Sequence, residues 1–437
     1  AGTCVGGCSG LLSPFSSLLS PLSSLPPVTE PPRVSLPLAA ETAIGARRSL
    51  VDVAQAGAAK PRGAYIHVPF CRHKCHYCDF YSFVDTQDRQ EAFVERLEQE
   101  LAATAELIDA GTILSTVFIG GGTPTMLRPP LLARMLAAVR RSLPLAPAPQ
   151  LEWTVEANPE TVDHEIAETL VAGGVNRTSL GAQSFTPRLL SALERDHRIE
   201  SVGEAISHLR AAGIANLNLD LIFGVPGSTL EDWASDLDAA LALEPDHLSA
   251  YGLTYEPNTP LAVKESRGEV DAVEEDLEAA MYEHACDRLG LAGFERYEIS
   301  NWAKPGRACR HNLLYWQNES WLAFGPSASG HLDGLRFKVV PRLGEWLESK
   351  EPWPLSEWER LDASGTFGEE LMLSLRLAEG LDADWLEQGL SRFDLDGAKR
   401  RAIEAAIADG RLEPVDGRVR LTARGTLLAN TLLSELV

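Results

Sequence analysis

The sequence predicts an α/β fold: a parallel sheet curved into a partial barrel of (β/α)6 type, followed by a smaller, winged-helix-like C-terminal unit. Three observations predict it. Six strand-like runs alternate with amphipathic segments up to about residue 300, residues of functional type fall at or just past the carboxyl ends of those runs, and residues 351–437 read as helices, a hairpin and a further helix. At 437 residues with 45% hydrophobic content, the chain is long enough for a barrel and a second unit.

Residues 1–60 stand apart. They are rich in Ser, Pro, Leu and Ala, and no charged residue precedes Glu30. No apolar run there approaches the ~18 residues of a membrane span. The Ser-rich, acid-poor character predicts an organellar transit peptide, for a mitochondrion or a plastid, although Arg is sparse before Arg33, Arg47 and Arg48. The alternative is a disordered extension of a cytoplasmic protein, in which Cys4 and Cys8 have no structural role.

The strand-like runs are 64–68, 116–120, 152–158, 177–184, 216–224 and 247–255, with apolar residues at helical spacing between them, as in EAFVERLEQELAATAELI and EDWASDLDAALALE. In such folds ligands gather at the carboxyl ends of strands. Just past the first run stand Cys71, Cys75 and Cys78, as Cys-x-x-x-Cys-x-x-Cys. Three thiolates can hold three irons of a four-iron, four-sulfur cluster and leave the fourth open to a small chelating ligand. S-adenosylmethionine offers an amine and a carboxylate for that place, and an electron from the cluster can cleave it to a 5'-deoxyadenosyl radical. His67, His73 and His76 lie nearby and leave zinc formally open.

The second run ends in Gly120, Gly121, Gly122, Thr123 and Pro124, a turn that lets a ligand approach the backbone and can present carbonyls to an ammonium group. Glu156, Gln183 and Asp220 fall at the ends of the third, fourth and fifth runs. A buried carboxylate needs a partner, and a pair of ribose hydroxyls is a suitable one.

YIHVPFC, CDFYSF, IGGGTPT, VEANPE, LGAQSF, LDLIFGVPG and LSAYGLTYEPNTP together resemble the coproporphyrinogen oxidase-like branch of the radical S-adenosylmethionine family, over roughly residues 61 to 437. The resemblance implies a radical S-adenosylmethionine core at 61–300, a connector at 301–350 and the branch's C-terminal domain at 351–437. It implies that Tyr65 lies beside the cofactor, that Gly121, Gly122 and Thr123 contact its amino-acid end, and that Glu156, Gln183, Arg195 and Asp220 surround ribose and carboxylate. The oxygen-independent oxidase of the branch carries a further cysteine two residues after the triplet. Phe80 stands there instead, which resembles the branch's heme chaperones of HemW type.

A second feature agrees. His311-Asn312-x-x-Tyr315-Trp316 resembles the heme-binding motif of those chaperones. A neutral imidazole is a competent axial ligand, Tyr and Trp offer flat apolar area, and Arg307 and Arg310 could pair with propionates. The alternatives are that His311 satisfies backbone groups while the aromatic residues fill an interface, or that Cys309 is the ligand. The resemblance implies heme, acceptor hemoproteins and an electron donor as partners. The other class of function is an enzyme that cleaves S-adenosylmethionine and oxidises a tetrapyrrole.

The C-terminal stretch reads as helices at GTFGEELMLSLRL and GAKRRAIEAAIADG, a hairpin with an Asp-Gly turn at RLEPVDGRVRLT, and a last helix at ARGTLLANTLLSEL. Seventeen acidic against ten basic residues in 351–437 favour a packing role over DNA binding. The formal net charge of -23 likewise argues against nucleic acid as partner. Seven cysteines, three of them in the triplet, are not a disulfide framework.

Overall fold

The computed structural model describes residues 41–54 and 59–436. An edge strand, β1 (Glu41–Ser49), precedes the six expected ones: β2 (Gly63–Val68), β3 (Thr116–Gly121), β4 (Glu152–Ala157), β5 (Arg177–Gln183), β6 (Asn216–Phe223) and β7 (His247–Gly252). β2 to β7 are parallel and adjacent in chain order. Their alternation explains the curved sheet. In β6, Leu217, Leu219 and Leu221 are buried in the apolar core, while Asn218 and Asp220 point the other way and bond to one another and to Ser179. The barrel interior is therefore polar and its outer face apolar.

The covering helices include Gln90–Ala102, Pro129–Ser142, His164–Gly173, Ile199–Ala212 and Leu230–Ala242. Their ends are set by local chemistry: Asp163 caps the Ile166 amide, Gly174 exits the same helix at φ 98°, and Thr229 with Asp232 forms a reciprocal capping box.

The sheet extends beyond the six strands through β8 (Glu295–Glu298), β9 (Asn301–Ala303), β10 (Trp321–Phe324), β11 (Ser329–Leu332), β12 (Leu335–Val339) and β13 (Pro354–Arg360). Thirteen strands run in the order β1-β13-β12-β11-β10-β2-β3-β4-β5-β6-β7-β9-β8, so β1 and β8 are edges and the barrel is open. Two expectations need correction. Residues 301–350, expected as a loop and connector, hold four strands and the helices Arg310–Trp316 and Leu343–Glu348. Residues 41–49, expected within a transit peptide or disordered extension, pair with β13 as part of the sheet. In the 301–350 region, strands as short as Trp321–Phe324, buried at every position, carry no alternation, and β1 gains its place from its pairing with β13. Residues 1–40, with Cys4 and Cys8, lie outside the described residues.

The C-terminal unit holds a small sheet of β14 (Leu381–Asp382), β15 (Leu412–Val415) and β16 (Arg418–Leu421) with the helices Ala363–Ser374, Ala383–Phe393 and Ala398–Ala408. The Asp416-Gly417 turn has positive φ at both residues, 50° and 75°, as a two-residue hairpin turn requires. The last expected helix is two short ones, Ala423–Leu427 and Ala429–Ser434. This unit covers the β8 edge, where Ala378 donates to the Tyr297 carbonyl at 2.9 Å.

Candidate functional site

Two groups of side chains occupy opposite ends of the barrel. At the carboxyl end, the chain leaves β2 through Pro69 and Phe70 into the cysteine loop. The loop is pinned at its neck by Cys71 N–H to the Phe83 carbonyl and Phe83 N–H to the Pro69 carbonyl, both 3.0 Å. His67 ties the strand to the loop's return, with Nε2 2.8 Å from the Tyr81 carbonyl and Nδ1 3.0 Å from the Tyr65 hydroxyl. Two of the three thiols are approached by residues from elsewhere, Thr123 just after β3 and Arg195 after the helix Pro187–Ala192. Thr123 Oγ1 lies 3.7 Å from Cys71 Sγ, and Arg195 Nη1 lies 3.5 Å from Cys75 Sγ while its Nη2 donates to the Gly181 carbonyl at 2.8 Å.

Cys71 and Cys78 are partly exposed and Cys75 is buried. Among the described residues no three His, Cys, Asp or Glu side chains converge on a single ion. A four-iron cube takes one cysteine per iron, so its thiolates need not converge. A guanidinium and a hydroxyl directed at sulfur, on a loop open to one side, fit that cluster. Burial pushes the Cys78 thiol up to about 11, so iron rather than solvent would hold it as thiolate.

The glycine turn after β3 packs against the chain itself as well as offering backbone to a ligand. Gly121 has φ 104°, and a Cβ there would stand 2.5 Å from the His67 ring; a Cβ on Gly122 would meet the Phe70 carbonyl at 2.7 Å. The Gly121 amide donates to Glu156 Oε2 at 3.0 Å. Burial and the neighbouring Asp220 push Glu156 up to about 7, opposed by that amide and by Arg177. Asp220 accepts from Ser179 Oγ at 2.9 Å and Asn218 Nδ2 at 2.7 Å. Burial raises it, and the hydrogen bonds from Ser249, Ser179 and Asn218 oppose the rise. Gln183 sits at a break in the β5–β6 register with φ 64°, a left-handed conformation that a bulky residue adopts only where its surroundings impose it.

Tyr65, Gly121, Gly122, Glu156, Gln183, Arg195 and Asp220 are all partly exposed within a largely buried sheet. They cluster at the carboxyl ends of the strands beside the cysteine loop: the Gly121 amide bonds Glu156, Glu156 feels the Asp220 charge, and Arg195 reaches the Gly181 carbonyl. Such a cluster suits a cationic ligand that carries vicinal hydroxyls and a carboxylate.

His311 is at the other end. The helix Arg310–Trp316 plugs the amino end of the barrel, where Glu152 caps it by accepting from the amides of Arg310 at 3.0 Å and His311 at 3.1 Å. The His311 ring is 1% exposed, stacked on Phe118, with Nδ1 2.7 Å from Thr116 Oγ1 and Nε2 2.9 Å from the Tyr315 hydroxyl. Burial alone lowers it to about 3, so it is neutral. Arg310 Nη2 donates to the carbonyls of Ser115 and Gln150, Arg307 lies 3.8 Å from Asp246, and Trp316 packs against Leu373 and Leu377 of the C-terminal unit. Buried Cys309 lies 3.5 Å from Glu152 Oε1.

The structure thus brings the cysteine triplet and the cleft residues together and leaves His311 apart from them. The sequence reading overlooked Ser179, Asn218, Arg177, Glu152 and Thr116. A signal was available: in NLNLDL and RTSLGAQ every second residue is polar or Gly, which marks the inward face of β5 and β6. Glu152 and Thr116 open their strands and carry no such signal.

Comparison with known proteins identifies the family and the fold. The Radical SAM superfamily profile matches residues 65–240, and the HemN C-terminal domain profile matches residues 368–428. Heme chaperone HemW of Mycobacterium tuberculosis is 39% identical over 86% of this chain and 95% of its own length. Heme chaperone HemW of Bacillus subtilis is 34% identical over 84% of this chain and 97% of its own length, and that of Escherichia coli is 34% identical over 85% and 97%. The solved structure of coproporphyrinogen III oxidase (HemN) from Escherichia coli superposes with TM-score 0.74 at 21% identity, covering 86% of this chain and 90% of that one, a likeness of fold. By its similarity to these relatives along nearly their whole length, and by the barrel it shares with radical SAM proteins, this chain belongs to the HemW family of the radical SAM superfamily.

Proposed function

We propose that this chain binds heme and passes it to acceptor hemoproteins, and that it carries a four-iron, four-sulfur cluster on Cys71, Cys75 and Cys78 with S-adenosylmethionine in the adjoining cleft. The observation that carries the reading is the similarity to heme chaperones over 95% of the length of one of them. Phe80, 53% exposed beside Cys78, supports it, because it stands where the resemblance to the oxidase calls for a further cysteine. When bound, cluster and cofactor supply a site for one-electron chemistry, fed by an electron donor. The chain's own residues do the holding: Arg195 and Thr123 face the thiol sulfurs, Gly121, Gly122 and Thr123 meet the amino-acid end, and Glu156, Gln183, Arg195 and Asp220 surround ribose and carboxylate with Tyr65 beside them.

In this reading His311 is the axial ligand of heme. Both its ring nitrogens are engaged inside the plug, so ligation requires the helix Arg310–Trp316 to leave the barrel end. Anaerobic titration of the reconstituted protein with heme, followed by absorbance, tests this. Stoichiometric binding that His311→Ala weakens is expected, and an unchanged spectrum in the variant would move the ligand elsewhere.

A second reading, an enzyme that cleaves S-adenosylmethionine, is favoured by the intact cleft beside the triplet. Robust conversion of coproporphyrinogen III with release of 5'-deoxyadenosine would sink a reading as chaperone alone.

A further inference from the structure

Inside the barrel, one layer of side chains below the cleft, β5 begins with Arg177. Its residue is 2% exposed and its Nε has no hydrogen-bond partner. An arginine cannot shed its charge by losing a proton, and a buried charge without partners costs several kcal/mol. Something must offset it. The register places Arg177 opposite Thr154 of β4 and Asn216 of β5's other neighbour, β6. Ser179, the next inward residue of β5, is opposite Glu156 on one side and donates to Asp220 on the other. Arg177 therefore stands on the same strand face two residues before the level of Glu156, about 7 Å by strand geometry, and four residues before the level of Asp220, which is opposite Gly181. The groups that act on it most are Cys309, Glu152, Tyr297 and Asp220, and its charge in turn steadies Glu156 as well as Asp220. Glu156 itself faces Asp220 and, across the interior, the hydroxyls of Tyr65 and Tyr315.

We propose that Arg177 is a positioning residue of the S-adenosylmethionine site: shared with Glu152, it is a buried counter-charge that lets Glu156 and Asp220 stand side by side as anions, ready for a sulfonium ligand and its ribose hydroxyls. The inference rests on the cofactor assignment made above. Its physical content is an imbalance. Two carboxylates alone in a low-dielectric barrel would repel, and one would take a proton. A fixed cation further down the strand, which Glu152 faces from the other side, offsets part of that repulsion, and a sulfonium-bearing ligand offsets the rest. Among the described residues the other nearby guanidinium, Arg195, is directed at Cys75 and the Gly181 carbonyl.

The test is S-adenosylmethionine affinity of the cluster-reconstituted, full-length protein by calorimetry between pH 6 and 9, for wild type, Arg177→Met and Arg177→Lys. In wild type the affinity falls as pH drops through the range in which Glu156 takes up a proton. Arg177→Met moves that midpoint upward by roughly one pH unit, the effect of removing one charge two strand residues away. Its affinity is therefore severalfold weaker at pH 7 and regained by pH 9, while Arg177→Lys keeps the wild-type midpoint. A merely structural arginine predicts a loss that pH does not restore and that Lys does not rescue, and either result overturns the proposal. Should Arg177→Met fold poorly, Arg177→Met/Asp220→Asn must recover its melting temperature; a double variant no better than the single one also overturns it. Absence of cofactor binding by wild type itself would instead strike down the cofactor assignment.

Discussion

The two ends of the barrel are built from the same strands but by different rules. At the carboxyl end, side chains are partly exposed, carboxylates sit side by side, and Gln183 and Gly121 hold unusual backbone angles. At the amino end, Glu152, His311 and Thr116 are buried and each has its partners within reach. The first leaves charged and polar groups partly exposed at the strand ends, and the second satisfies its polar groups with one another. A chaperone that must release its cargo needs both kinds of place: one that binds, and one whose contacts can be exchanged.

The largest effect should come from Cys75→Ala. Two thiolates do not hold the cluster, so the variant should lose its cluster absorbance entirely while the plug, on the other rim, keeps the melting profile of the apo protein. Full iron content in the variant would refute the ligand assignment and with it the contrast between the ends.

Next in size is Glu152→Gln. One amide oxygen can still accept from Arg310 or His311, but the amide nitrogen would then face the other backbone donor. A loss of about 2 kcal/mol in denaturant unfolding is expected for one buried, charge-assisted bond replaced by a mismatch. Cofactor affinity should stay as it was. A matching fall in S-adenosylmethionine binding would show that the ends are not separate.

Asp220→Asn reverses that pattern. The variant keeps the shape and one acceptor but loses a charge that the ribose hydroxyls and Ser179 address. Cofactor binding should weaken about tenfold, near 1.4 kcal/mol, with cluster absorbance intact.

How much of this was legible in the sequence differs between the ends for a physical reason. The carboxyl end is punctuated by short-range chemistry: cysteine spacing, a glycine turn, and carboxylates that interrupt apolar strands. All six central strands could be placed from local pattern, whereas Tyr65 and Arg195 are named only through the family resemblance and Ser179, Asn218 and Arg177 are not singled out. The plug depends on contacts of long separation, such as Glu152 with His311 and Thr116 with His311, which no local period announces. HNLLYW taken alone reads as an interface filler and, with Phe80 and the family resemblance, as a heme ligand set; in this structure it forms a capped helix with both His311 ring nitrogens bonded. The antiparallel wing of β10 to β13 was illegible for the same reason, since its strands gain their identity from their neighbours.

The smallest effects should carry opposite signs, which makes them the sharpest comparison of the two ends. Burial lowers His311 to about 3, from 6.5 when unfolded, so between those values the unfolded chain binds the extra proton. The stability that His311 contributes is complete above pH 6.5 and is lost as pH falls below it. Glu156 behaves inversely. Its folded value is about 7, against 4.5 unfolded, so the folded chain holds the extra proton; its contribution is complete below pH 4.5 and is lost as pH rises through 7. Unfolding free energies between pH 5 and 7.5 for wild type, His311→Gln and Glu156→Gln isolate the two, because His67, His197 and His331, which burial also lowers, cancel in the differences. Wild type minus His311→Gln should rise with pH, and wild type minus Glu156→Gln should fall. Slopes of the same sign would mean that one end's side chain is not in the protonation state its surroundings impose. A flat His311 difference would mean that the plug is already open in solution, its imidazole in water and free to meet heme iron.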